Sequence, residues 1–280
     1  MIRRAAATAA AALAAVVAAL SGCSTTVAGT ARPGTQLKSA ALEDAKLAGA
    51  EREWVDVTGQ GVALPRDTLV GTHYSPVPIP GAAIAHETLD GRARSCTIGP
   101  AVADGGRQGF LTAGHCATNA VGEQKLTGSD GLPVRALGAA VEAEFSRGLR
   151  DPATGYANDS AVIWTPAGSV AAIIAGTWPV AGVLSVAEVE ALPKGAPVCF
   201  FGAVSGVACG PLLNSRDPGG VHFGSSAQGG DSGAAVFLVA DGAAWLIGIM
   251  SSTDDYHPAS TAALLAPALD RLHAEAITAR

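Results

Sequence analysis

The sequence predicts an all-β protein, either an antiparallel sandwich or a pair of barrels, closed by a helical tail. From Ile79 onward, short Val/Ile/Ala/Phe runs are separated by Gly, Pro, Asp and Asn. This is the pattern of many brief strands joined by turns. Cys96–Val102, Gly109–Ala113, Ser160–Trp164, Val198–Gly202 and Ala235–Val239 are the plainest examples. No helical pattern alternates with them, which argues against a parallel sheet of βαβ units. Only Ala259–Arg280 has helical character, with Leu264, Leu265, Leu269 and Leu272 near helical spacing.

Before that region the chain changes character several times. Met1–Gly22 has a basic start at Arg3 and Arg4, an Ala/Val/Leu run and small residues before Cys23. The apolar run is shorter than the ~20 residues that span a bilayer, so residues 1–22 are expected to be an export signal. Residues 24–34 form a small-residue tether. Residues 37–55 mix Ala and Leu with charges and favour a helix. Pro76-Val77-Pro78-Ile79-Pro80 can be neither helix nor central strand, and marks an extended boundary. Residues 23–78 are therefore expected to be Cys23, a tether and an N-terminal segment, and 79–280 the folded domain.

The 280 residues carry a net charge of -6, and losing Arg3 and Arg4 with the signal takes it to -8. That excludes nucleic acid and anionic membrane surfaces as main partners, since both require basic patches. Five cysteines fall into two local pairs and one odd residue, Cys23. Export leads to an oxidising compartment, where disulfides persist.

The candidate chemistry centres on Gln228-Gly229-Gly230-Asp231-Ser232-Gly233-Ala234. A serine hydroxyl is a weak nucleophile unless its surroundings activate it. Glycines on both sides free the backbone to expose Ser232 Oγ and to turn the Gly230 and Ser232 amides toward one point, an oxyanion hole. His115 ends the apolar run Gly109–Ala113 and is the candidate base. Asp159, where a polar turn enters an apolar strand, is the candidate acid that fixes the imidazole tautomer.

With these residues in the order His115, Asp159, Ser232, the chain resembles the chymotrypsin-fold serine peptidases, closest to the streptogrisin and α-lytic protease branch. Thr112-Ala113-Gly114-His115-Cys116, Asn158-Asp159 and Gly230-Asp231-Ser232-Gly233 match that family's three motifs. An α/β-hydrolase would place its serine first, in a G-x-S-x-G elbow, whereas position 234 is alanine. The resemblance implies two antiparallel six-stranded Greek-key barrels, about 79–175 and 176–280, with disulfides Cys96–Cys116 and Cys199–Cys209. It implies a serine endopeptidase working through an acyl-enzyme, with Ser251, Ser252 and Thr253 pairing with substrate backbone and no metal or cofactor. Leu20-Ser21-Gly22-Cys23 resembles the bacterial lipobox and implies a protein held to the membrane by lipid on Cys23, against the alternative of an ordinary secretory signal.

Four positions bear on how closely the chain follows the family. Ser226 stands at the base of the primary specificity pocket, where cleavage after Lys or Arg would need an acid, so a neutral P1 residue is expected; Thr253 replaces a usual glycine. Phe200 stands where that branch places an arginine against the buried aspartate, Asp231, which must find another partner. A fresh α-amino group made by cleavage near Ile79 is one that could serve. With Ala235, this departure also favours the alternative reading, an inactive peptidase-fold binding or scaffold lipoprotein.

Overall fold

The computed structural model describes residues 52–118, 120–152, 154–165, 170, 172–254 and 257–279. The export signal, Cys23, the tether and most of the expected 37–55 helix lie outside them. Where that helix was expected to end, Val55 instead forms an antiparallel bridge with Val239.

The first half contains β1 (Ala83–Thr88), β2 (Ala93–Thr97), β3 (Ala101–Asp104), β4 (Arg107–Thr112), β5 (Ala120–Thr127), β6 (Pro133–Gly138), β7 (Ala140–Phe145) and β8 (Asp159–Thr165). They form two sheets, β2-β1-β5-β6 and β3-β4-β8-β7. Two bent strands join the sheets. Gly99 and Pro100 break the run from β2 to β3, and Gly138, at φ 146°, breaks the run from β6 to β7. Each run pairs in one sheet before the bend and in the other after it, which is how strands turn the corner of an orthogonal barrel. Counted as bent strands, the first half is a closed ring of six.

The second half contains β9 (Ile173–Ile174), β10 (Trp178–Val183), α1 (Val186–Ala191), β11 (Pro197–Gly202), β12 (Gly206–Asp217), β13 (Gly220–Phe223), β14 (Ala235–Ala240), β15 (Ala243–Thr253), β16 (Ser260–Leu264), α2 (Leu265–Leu272) and β17 (Glu275–Ala276). Strands β14-β11-β12-β13-β16-β15 run in order, and β14–β15 pairing closes the ring. In both rings the first three strands are neighbours in order, the third then meets the sixth, and the circuit returns through the fifth and fourth. The expected pair of Greek-key barrels is thus present; four of the five runs named from the sequence each fall on one strand, while Cys96–Val102 is divided between the end of β2 and the start of β3 by the bend at Ile98–Pro100.

The tail differs from expectation. Ser260–Leu264 is strand, paired with both β13 and β15, and the helix is confined to Leu265–Leu272. Interior pairing overrides helical spacing for the apolar Ala262–Leu264. The helix ends at His273 in the left-handed conformation, after which β17 returns to pair with β3 of the first barrel. Helix α1 starts at Ser185, whose hydroxyl and Glu188 form a capping box.

Residues 52–78 are stitched across the barrels. Val57 is buried, Gly59 N donates to Val207 O at 2.9 Å, and Val62 N donates to Ala175 O at 2.7 Å. Arg66 and His73 then bridge to form a small hairpin. Both expected disulfides are formed: Cys96–Cys116 in the first half, and Cys199–Cys209 between directly opposed residues of β11 and β12.

Candidate active site

The two barrels present equivalent connections to each other. His115 lies on the link after the third strand of the first ring, and Ser232 on the link after the third strand of the second. Strand β4 delivers His115 into a short 3₁₀ turn, Gly114–Cys116. Gly114 permits this turn, because a Cβ there would lie 1.8 Å from Glu144 O. Asp159 is the first residue of β8, which pairs with β4 and brings the acid beside the imidazole.

Asp159 is buried and holds His115 at two points. Its Oδ1 accepts from His115 N at 2.8 Å, and its Oδ2 lies 2.8 Å from His115 Nδ1. Ser251 Oγ donates to the same Oδ2 at 2.6 Å. A carboxylate on Nδ1 favours the tautomer in which Nε2 is free to accept a proton. Ser232 and His115 line one cavity of about 510 Å³, with His86, Arg94 and the Cys96–Cys116 disulfide. No hydrogen bond joins His115 Nε2 to Ser232 Oγ, the one contact of the expected arrangement that is not made. The sulfurs of Cys96 and Cys116 lie within 4.8 Å of a His115 ring nitrogen, but being bonded to each other they offer no thiolate to a metal.

The turn that carries Ser232 is fixed from both barrels. Buried Thr97, at the end of β2, donates through its hydroxyl to Gly230 O at 2.7 Å, and through its amide to Ser232 O at 2.8 Å. Gly233 adopts φ 92°, and a Cβ there would meet Thr112 Oγ1 at 2.3 Å. The Gly230 and Ser232 amides donate to no other group among the described residues, as donors reserved for an oxyanion would.

Asp231 is fully buried and satisfied by neutral donors. Val204 N and Ser205 N reach its Oδ1 at 2.9 and 3.1 Å, while Ser205 Oγ and Gln228 N reach Oδ2 at 2.6 and 2.8 Å. The missing arginine at Phe200 is thereby explained without a new α-amino group. Phe200 is itself fully buried and packs on Phe223 with centroids 6.2 Å apart.

Beyond Met250, strand β15 loses its β14 neighbour, because Gly233 N and Ala234 O make the last bonds to that edge. Ser252 and Thr253 pair only with β16. Their free edge is the kind on which an extended peptide adds a strand. Ser251, at a bulge in that pairing, also sends its hydroxyl to Asp159, a role its sequence position does not announce. Ser226 is exposed and lines neither the cavity of His115 and Ser232 nor a second one bordered by Asp159. This second cavity also takes in Phe145, Arg147, Asp217, His222 and Ser252.

Several site residues had no usable sequence signal. Thr97 and Ser205 sit in ordinary strand and turn contexts. His86 is buried in the wall of the same cavity as His115, and burial lowers its pKa, so it favours the neutral form. Arg271 of α2 donates to Ser160 O and Oγ at 3.1 and 2.8 Å, bracing the strand that begins at Asp159.

No protein-family model matches the chain, and no curated protein does. Among solved structures, similarity falls on bacterial serine proteases. A glutamic acid-specific serine protease that uses a histidine triad in substrate binding matches at 20% identity and TM-score 0.50, over 71% of this chain and 100% of its own. Protease A of Thermobifida fusca matches at 21% and 0.49, over 72% and 98%. A chymotrypsin of Cellulomonas bogoriensis matches at 26% and 0.46, over 72% and 98%. At such identities what is shared is the fold, a chymotrypsin-like double barrel.

Proposed function

We propose that the protein is a serine endopeptidase. Ser232 is the nucleophile, His115 the general base and then acid, and Asp159 the group that orients the imidazole and stabilises its charged form. The observation that carries this reading is the double hold of Asp159 on His115, with Ser232 across the same cavity. Ser232 Oγ attacks the peptide carbonyl while His115 Nε2 takes its proton, and the oxyanion settles on the Gly230 and Ser232 amides. His115 then protonates the leaving amine, and water repeats the sequence on the acyl-enzyme. A polypeptide substrate lies along the free edge of Ser252 and Thr253. Its P1 residue is neutral: Ser226, the position that the resemblance places at the base of the specificity pocket, carries no charge to meet Lys or Arg, although it borders neither the His115 and Ser232 cavity nor the one beside Asp159.

We further propose an extracytoplasmic protein tethered to the membrane by lipid on Cys23. The two disulfides suit an oxidising compartment, and no helix among the described residues is long and apolar enough to cross a membrane. The two barrels are assigned to 79–280, with 23–78 leading into them and residues 52–78 packed against both.

A fluorophosphonate probe tests the chemistry. Labelling of the wild type that disappears in Ser232→Ala is expected. A wild type that stays unlabelled would favour the alternative, a peptidase-fold scaffold with no turnover. Efficient cleavage of a peptide library only after Lys or Arg would refute the neutral P1 assignment.

A further inference from the structure

The acid beside the nucleophile poses a problem of charge. Asp231 is fully buried, and among the described residues no ion pair includes it. An unpartnered carboxylate in that position would carry a large desolvation cost. Its donors come from the Ala203–Ser205 turn between β11 and β12 and from Gln228. The fit is close: a Cβ on Gly202 would lie 2.1 Å from Asp231 Oδ1.

The Ala203–Ser205 turn is in its turn gripped by the N-terminal segment. His73 N donates to Ala203 O at 2.6 Å, and Arg66 Nη2 donates to Val204 O at 3.2 Å. Arg66 Nη1 reaches Gly71 O at 2.5 Å, so one guanidinium ties the hairpin to the turn. Inside the hairpin, buried Asp67 accepts from the amides of Leu69, Val70 and Thr72 at 2.9, 2.8 and 2.8 Å, and from the Thr72 hydroxyl. On the other side, Ala203 N donates to Thr97 Oγ1 at 3.0 Å, the same oxygen that donates to Gly230 O. The chain of contacts thus runs from the Arg66–His73 hairpin, through Ala203–Ser205, to Asp231 and the oxyanion turn.

We propose that the Arg66–His73 hairpin and Ser205 form a permanent clamp on the oxyanion turn, with Ser205 and Arg66 as positioning residues, so that the turn is formed in the uncut chain and needs no cleavage near Ile79. This rests on the peptidase reading above. It makes residues 66–73 a working part of the active protein and not a removable pro-segment. The clamp replaces a counter-charge by neutral donors whose positions are set by a segment preceding both barrels.

The test uses the full chain carrying Ser205→Ala, Ser205→Thr or Arg66→Met, with two readouts. The first is turnover of a chromogenic peptide ester and the rate of fluorophosphonate labelling. For S205A, kcat and labelling are expected to fall roughly ten- to hundredfold with KM within about twofold, and S205T to recover most of the loss. The second is hydrogen exchange in the 226–234 peptide, which reads the turn without chemistry. Faster exchange there is expected in S205A, and a smaller increase in R66M, which alters an exposed side chain and leaves the fold intact. A wild type that labels while S205A matches it in rate and exchange overturns the clamp. So does a chain whose wild type labels only after cutting near Ile79. If no protein labels, the peptidase reading fails, and exchange alone decides the clamp: faster in S205A and R66M supports it, unchanged overturns it.

Discussion

Thr97 illustrates how few atoms connect the two barrels at the centre of the molecule. Its amide, hydroxyl and carbonyl bond to Ser232 O, Gly230 O, Ala203 N and Thr112 Oγ1, all but the last from the second barrel. Asp159 is as heavily engaged, with His115 at two points and Ser251 at a third. Replacing it by Asn keeps the shape but lets the amide donate to Nδ1 and present the wrong tautomer. D159N is therefore expected to lower kcat on the order of 10⁴-fold with little change in KM, measured on a peptide ester. Gly114→Ala puts a methyl into Glu144 O and should lower unfolding free energy by about 3 kcal/mol in denaturant titration. At this scale the sequence was legible for His115, Asp159 and Ser232, because small residues and an apolar strand flank each. It was silent on Thr97, whose importance comes from contacts more than 100 positions away along the chain, and on Ser205, whose partner lies 26 positions on. Ser205 meets Asp231 across two turns that no local pattern pairs.

Among the elements, the Arg66–His73 hairpin lay in a stretch whose composition suggested no role. Asp67 gives it a rigid tip. Burial alone would raise the Asp67 pKa, but the Thr72 hydroxyl and the amides of Val70, Thr72 and Leu69 outweigh it and bring it from 3.8 to about 2. The folded-state value lies below the unfolded one, so the stabilisation is complete above pH 3.8 and is lost as pH falls toward about 2. Asp67→Ala should lower stability by about 1–3 kcal/mol at neutral pH. The gap between D67A and the wild type should close across that acid window in pH-dependent urea melts. The C-terminal helix shows the opposite failure of legibility. Leucine spacing suggested a long helix, but strand partners on both sides claimed Ser260–Leu264. Helix α1 was missed altogether: Ser185-Val186-Ala187-Glu188 carries a capping box, but the helix it opens is only six residues long and too short to show a helical period.

For the molecule as a whole, the two rings repeat one topology, and the repetition places the chemistry. The sixth strand of the first ring begins with Asp159, and that of the second with buried Ser260. Each steadies the link after its own third strand: Asp159 holds His115, while Ser260 Oγ accepts from Ala227 N at 3.0 Å and donates to Ser225 O at 2.6 Å. The double-barrel class could be anticipated from strand and turn density. The bends that turn eight pairing segments into a ring of six could not, since Gly99-Pro100 and Gly138 resemble ordinary turn residues. Two buried histidines tie the stability of this assembly to pH. Burial lowers the pKa of His73, helped by the Arg66 charge, and burial lowers that of His86. Both unfolded-state values lie above the folded ones, so their contribution is complete above pH 6.5 and declines as the medium is acidified below it. A His73→Gln/His86→Gln double variant is expected to flatten the slope of melting temperature between neutral pH and the titration of the carboxylates.

Strand β17 has a further meaning for how such a chain comes into being. It is drawn from residues 275–276 of 280, yet it completes the outer edge of the sheet that carries His115 and Asp159. Closing that edge joins Ala103 to Glu275, positions so far apart along the chain that the intervening loop is among the costliest in entropy to draw together. The seam is therefore expected to form late in folding, after each barrel has found its own nearer partners.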